Sequence, residues 1–331
     1  MQVPRTTRWR HLLTLAAALV AVVGLATTGR AQNYPTQTVK IVVPFTAGGG
    51  VDVVARIVAP KLGEALGQSV IIENRGGAGG MLGAASVAQA APDGYTLLFG
   101  TGSTHGTNSS VYAKLNYDPV RDFVPVALVT SSPLVLVVNP SLPVKTVSDF
   151  VAYAKSKPGE LSFGSYGTGS INHLGAELFD LMTGIQANHI PYRGSAPMLT
   201  DLIGGRIHHA FDGVSTSLGY VNAGTVRLLG VAGTARSPIF PDAPTVAETV
   251  PGFDTMVWFG LFAPAGTPRP VVDLLNRKVN DTLAVPEVRK SLEKLGIDAV
   301  GGAPDALAAK VQTEIRKWAN IVRQKNIHVE P

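Results

Sequence analysis

Val39-Lys-Ile-Val-Val-Pro-Phe45, followed by Thr46-Ala-Gly-Gly-Gly50, decides how this chain is read. A β-branched apolar run ends in glycines, and a helical pattern follows at once. Val54, Ile57, Val58, Leu62 and Leu66 share its apolar stripe, and Gly67 stops it. The unit then recurs. Val70-Ile-Ile72 reads as a strand, 76–80 as a glycine loop, and 81–91 as a small-residue helix ended by Pro92-Asp-Gly94. Tyr95-Thr-Leu-Leu-Phe99 is a third strand, and it opens into the hydroxyl-rich stretch 100–108. Such β-loop-α units predict an α/β fold with a mostly parallel sheet and helices on both faces.

Further along, the apolar run 126–138 is broken by Ser131-Ser-Pro133, which reads as a crossing between two lobes. Thr146-Val-Ser-Asp149 has the pattern of a capping box at a helix start. Leu161-Ser-Phe163 is a strand feeding the glycine and hydroxyl loop 164–170. A helix follows over 171–183, with Leu174, Leu178 and Leu181 on one stripe. Strands are expected at 189–192, 207–211 and 226–231, a second crossing at 259–264, and helices at 271–283, 287–295 and 304–325. The last helix turns Leu307, Val311, Ile315, Trp318 and Val322 inward and Glu314 and Lys317 outward. Two crossings mean that C-terminal residues complete the first lobe. The expected plan is 32–131 plus 254–331 as lobe 1 and 132–253 as lobe 2. A ligand cleft between them would close by hinge motion.

Residues 1–31 read as a secretory leader. Arg5, Arg8 and Arg10 precede the apolar stretch 12–26, and Gly29-Arg30-Ala31 offers small residues for cleavage after Ala31. The stretch is shorter than the roughly 20 residues of a membrane span; an uncleaved anchor is the alternative. The 331 residues include no Cys, which excludes disulfides, cysteine metal sites, cysteine nucleophiles and a lipid-bearing cysteine. Basic residues number 28 against 23 acidic. Without the leader's four arginines the balance is 24 to 23, so no nucleic-acid partner is expected. No second apolar stretch reaches spanning length, so no stable membrane insertion is expected after cleavage. An exported, cysteine-free chain points to the periplasm or the cell exterior.

Ligands of open α/β sheets sit beyond the carboxyl ends of the strands. Three stretches there, 45–52, 100–108 and 164–173, are rich in Gly, Ser and Thr and poor in charge. Where such a loop opens a helix, free N–H groups and the helix dipole favour a carboxylate or another anion without Arg or Lys. Two readings stay open for Asp52: a helix cap or charge complement, or a group that meets ligand. Thr168 and Ser170 can cap the next helix or offer hydroxyls, and His173 can face ligand or fill a structural niche. Asp212 ends a strand and joins the candidates; Thr101 and Asn108, in the stretch after the third strand, are weaker ones. Gly-x-Ser-x-Gly, His-Glu-x-x-His and Walker motifs do not occur. Gly77-Ala-Gly-Gly80 mimics a dinucleotide loop, but its fingerprint is incomplete. His173 and Glu177, four apart, are weak evidence for metal. No catalytic residue, metal or cofactor is expected.

An ordered set of short motifs runs from Tyr34-Pro35 to the C-terminal helix. It includes Glu73-Asn-Arg75, Pro92-Asp-Gly-Tyr-Thr-Leu-Leu98, Asp122-Phe-Val-Pro-Val126, Gly167-Thr-Gly169, His173-Leu174, Trp258-Phe-Gly260 and Ala263-Pro-Ala-Gly-Thr-Pro268. Over 34–325 the chain resembles the Bug family, the extracytoplasmic solute receptors of tripartite tricarboxylate transporters. The resemblance implies a two-lobed periplasmic-binding-protein fold of the Venus-flytrap type, without catalysis. It implies a small organic acid held largely by backbone amides and ordered water. Phe45, Ala47, Gly49, Gly50 and Asp52 would lie on one side, and Ser165, Thr168, Gly169, Ser170 and His173 on the other. It also implies delivery to a membrane permease of two integral subunits. The first loop departs from the family pattern at Thr46-Ala47-Gly48, where proline is common. Ser170 stands where Thr is commoner, and Ile207-His-His-Ala210 is unusually polar. Two other roles use the same residues. One is a ligand sensor for a membrane signalling partner; the other is a secreted hydrolase using His173 with Asp52 or Asp212.

Overall fold

Residues 34–329 are described by the computed structural model of the chain. The expected leader, 1–31, lies outside the described residues. The opening apolar run forms β1 (Val39–Val43), almost wholly buried, and α1 (Gly50–Leu66) follows it. Gly67 closes that helix in the left-handed region (φ 69°), where a side chain would be strained. Then come β2 (Val70–Asn74), α2 (Met81–Ala88) and β3 (Thr96–Thr101). Strand β1 pairs in parallel with both β2 and β3, as the repeated units predict. A π-helical turn (Ser103–Thr107) and the short α3 (Asn108–Val111) lead on to β4 (Phe123–Val138).

The middle of the chain runs α4 (Val147–Lys155), β5 (Ser162–Ser165), α5 (Ile171–Thr183), β6 (Asn188–Pro191), α6 (Ser195–Ile203), β7 (His209–Gly213), α7 (Val214–Asn222) and β8 (Arg227–Val231). Helix α4 opens with the expected capping box: Thr146 accepts from the Asp149 N–H, and Asp149 reaches back. The chain ends with β9 (Met256–Pro264), α8 (Arg269–Ala284), α9 (Pro286–Glu293), β10 (Asp298–Ala299) and α10 (Pro304–Gln324).

The sheet is mixed rather than mostly parallel, because its two crossing strands run in opposite directions. β4 is unbroken at Ser131-Ser-Pro133 and belongs to two strand sets. Its first part pairs antiparallel with β9, and residues 134–138 pair antiparallel with β7. The first set is ordered β2-β1-β3-β9-β4, with β10 also on β4; the second is β6-β5-β7-β4, with β8 also on β4.

Register fixes which edges meet. Thr101, the end of β3, is level with Phe259, and Phe259 is level with Thr130. Four residues further along β4, Leu134 is level with Gly213, the end of β7. Four residues of strand span about 13 Å. The carboxyl ends of β3 and β7 therefore come close together at the crossing, and β1 and β5 run parallel to them.

Val111 of α3, Ile171 and Leu174 of α5, and Trp318, Ile321 and Val322 of α10 form one buried cluster that ties helices of both sets together. Two sequence expectations fail here. Glu314 does not face out: it is 8% exposed and accepts from Trp318 Nε1 at 2.7 Å. A buried indole N–H needs an acceptor, and α10 packs against the Ser103–Thr107 turn as well as the sheet. Leu181 leaves the expected stripe and is 39% exposed. No helix among the described residues is long and apolar enough to cross a membrane.

Candidate ligand-binding site

The loop after β1 is exposed at Thr46, Ala47 and Gly48, and Gly49 leads into α1. Asp52, 2% exposed, shapes this loop. Its Oδ2 accepts from the Gly48 N–H (2.8 Å) and Arg56 Nε (2.9 Å), and its Oδ1 accepts from Asn74 Nδ2 (2.9 Å). Burial pushes the carboxyl up, but the bonds from Arg56, Gly48 and Asn74 outweigh it and hold it below the usual carboxylate range. Asn74 also donates to the Phe45 carbonyl. Asp52 thus organises the loop with both oxygens engaged. The N–H groups of Ala47, Gly50 and Val51 find no acceptor among the described residues.

The loop after β5 is built the same way. Ser170 caps α5, accepting from the His173 N–H and donating to the Gly167 carbonyl. Ser165 Oγ accepts from the Gly167 N–H at 3.1 Å and lies 2.6 Å from His189 Nε2. His173 Nδ1 accepts from the Gly169 N–H at 3.1 Å. The two imidazoles stack at 3.7 Å, and burial holds His189 down at about 3, so it is neutral at ordinary pH. Gly169 has φ +80°, and its carbonyl accepts from Thr107 Oγ1 at 2.9 Å. Thr168 is exposed, and the N–H groups of Thr168, Ile171 and Asn172 find no acceptor among the described residues.

The other candidates are bonded within the protein. Thr101 Oγ1 accepts from the N–H groups of Ser103 and Thr104, and Asn108 Nδ2 ties the Gly79 carbonyl to Tyr117. Asp212 is fully buried under four hydroxyls: those of Tyr166, Ser195 (2.9 Å), Thr216 (2.8 Å) and Ser217 (2.5 Å). Those hydroxyls, His189 as the partner of Ser165, and Thr107 were missed by the sequence reading as individual residues. Ser165 was a named candidate, and Tyr166 and Thr107 stood inside marked stretches. His173 does not pair with Asp52 or Asp212, as the hydrolase alternative needed. Its Nε2 lies 3.6 Å from Glu177, which pairs with Lys325 at 2.9 Å. That engagement also accounts for the His173–Glu177 spacing without a metal.

Two α/β strand sets joined by two antiparallel crossing strands, with strand ends meeting at the crossing, define the periplasmic solute-binding architecture. The family model for the tripartite tricarboxylate transporter family receptor matches residues 54–327. BugT of Bordetella pertussis is 38% identical over 316 residues, covering 95% of this chain and 97% of BugT. An R. palustris protein solved with adipate is 41% identical, with a TM-score of 0.82, covering 90% of this chain and all of the other. MatC from Rhodopseudomonas palustris with bound malate is 38% identical, with a TM-score of 0.78, covering 87% and 100%. The chain belongs to the receptor family of the tripartite tricarboxylate transporters.

Proposed function

We propose that this receptor captures a small organic carboxylate between the loops 45–50 and 165–171 and hands it to the integral membrane subunits of its transporter. The observation that carries the reading is the pair of glycine loops. Each opens a long helix, α1 or α5, and each keeps uncommitted N–H groups there, while the nearby carboxylates Asp52 and Asp212 are saturated. Amides and helix dipoles of this kind attract an anion, and saturated carboxylates leave no free acceptor to compete. Adipate and malate in the related structures support a dicarboxylate. In this reading Phe45 and Thr168 flank the acid, and the lobes 32–131 with 254–331 and 132–253 close on it. The leader 1–31 is removed after Ala31 during export.

The test is a thermal-shift panel on protein that has been unfolded and refolded to strip carried-over ligand. Short dicarboxylates, tricarboxylates, acidic amino acids and aromatic acids make up the panel. A binder raises the midpoint with concentration, following RT ln(1 + [L]/Kd). A flat response across the whole panel contradicts the reading.

A further inference from the structure

The two peptide groups that flank Gly169 are held from both strand sets at once. The Gly169 carbonyl accepts from Thr107, which follows β3, and its N–H donates to His173 on α5. Ser170 caps the helix by accepting from the His173 N–H, and the His173 imidazole, at the third helical position, reaches back to the Gly169 N–H before the cap. An imidazole nitrogen can accept only when unprotonated. The Gly169 bond therefore requires neutral His173 with its proton on Nε2, facing Glu177.

We infer that Thr107 and His173 are positioning residues of the carboxylate site, that they clamp Gly169 through its carbonyl and its N–H, and that protonation of His173 releases the clamp. The inference rests on the reading of 165–171 as a carboxylate loop. With Gly169 clamped, the free N–H groups of Thr168, Ile171 and Asn172 keep fixed directions. A protonated Nδ1 points its own N–H at the Gly169 N–H, and the loop must move. The charged groups around His173 are Glu177 on its own helix, 3.6 Å from Nε2, and Lys325, beyond the end of α10, which pairs with Glu177 at 2.9 Å; Asp180 lies one turn further along α5. His189 of β6, stacked on the ring, stays neutral, as does His209 of β7 across Phe163. Acidification therefore weakens binding.

The test uses adipate and malate as probes and calorimetric Kd values at about pH 7.5 and about pH 5.5. Asn at position 173 keeps an acceptor where Nδ1 stands; Gln places its amide where Nε2 stands and leaves the Gly169 N–H bare. His173→Asn is expected to stay within about threefold of wild type at the higher pH, and His173→Gln to lose about tenfold, the worth of one hydrogen bond. Thr107→Ser is expected to bind like wild type and Thr107→Val to lose about tenfold as well. The wild type should weaken on acidification more than His173→Asn, which corrects for titration of the acid itself. Equal effects of Asn and Gln, equal effects of Ser and Val, or parallel pH profiles overturn the inference while wild type still binds. If wild type binds neither probe nor any acid of the thermal-shift panel, the carboxylate reading itself falls.

Discussion

Gly169→Ala is the substitution whose cost the structure fixes most closely. The residue sits at φ +80°, where a side chain costs about 1–2 kcal/mol. An added Cβ would lie 2.6 Å from Val111 Cγ1 and 3.3 Å from Val111 Cβ and Cγ2. Val111 is fully buried and cannot swing aside, so overpacking adds about 1–3 kcal/mol. The sum is about 2–5 kcal/mol, read by urea unfolding. Val111→Ala alone opens space and destabilises by about 2 kcal/mol. In the double variant the clash is gone, and the backbone cost and the Val111→Ala cost remain. The cycle should therefore show a favourable coupling of about 1–3 kcal/mol. Additive costs, or a Gly169→Ala protein within about 0.5 kcal/mol of wild type, would refute the packing of the second loop on α3.

Other outcomes follow from the buried polar groups. Asp212→Asn turns one of the two oxygens, each accepting from two hydroxyls, into a donor and should cost about 2–4 kcal/mol in urea unfolding; a change under about 0.5 kcal/mol contradicts that network. Burial pushes the Asp180 carboxyl up to about 7, with Lys325 pulling it back and Glu177 adding to the rise. The folded chain then holds a proton that the unfolded chain releases, so stability falls as pH rises from about 4 to about 7. Asp180→Asn should remove that slope and gain at most about 4 kcal/mol at about pH 8; an unchanged slope rules it out. His209 is the opposite case. Burial holds its ring down at about 3, and neither nitrogen has a partner among the described residues. The unfolded chain takes up the proton first, so stability is lost as pH falls from about 6.5 towards 3. His209→Leu should be neutral or stabilising by about 1 kcal/mol at neutral pH and should flatten the acid limb; a loss above about 2 kcal/mol contradicts this.

The first part of the fold was legible because its signals are local. An apolar run, a glycine loop and a helical stripe sit within thirty-odd residues, and so do the Thr146–Asp149 box and the Ser170 cap. The crossing at 131–133 was visible as a break in hydrophobicity. The strand that runs through it unbroken was not, since its partners lie in β9 and β7, far along the chain. The same distance hid the environment of Asp212: Tyr166 stands 46 residues before it, and Ser195 stands 17 before it. Glu314 looked like a solvent-facing helix position because helical periodicity marks one apolar face, whereas α10 is covered on more than one side. His189, a lone histidine on an edge strand, carried no signal until its ring was seen over His173.

The central claim is that amides of the two glycine loops hold the acid. Backbone amide NMR during titration with adipate tests it directly, and malate serves as a second probe. The account predicts saturable shifts at Gly50, Val51, Thr168, Ile171 and Asn172, and unmoved signals at distant amides such as Gly230 and Gly301. Saturable binding that shifts other amides while these five stay still would contradict it.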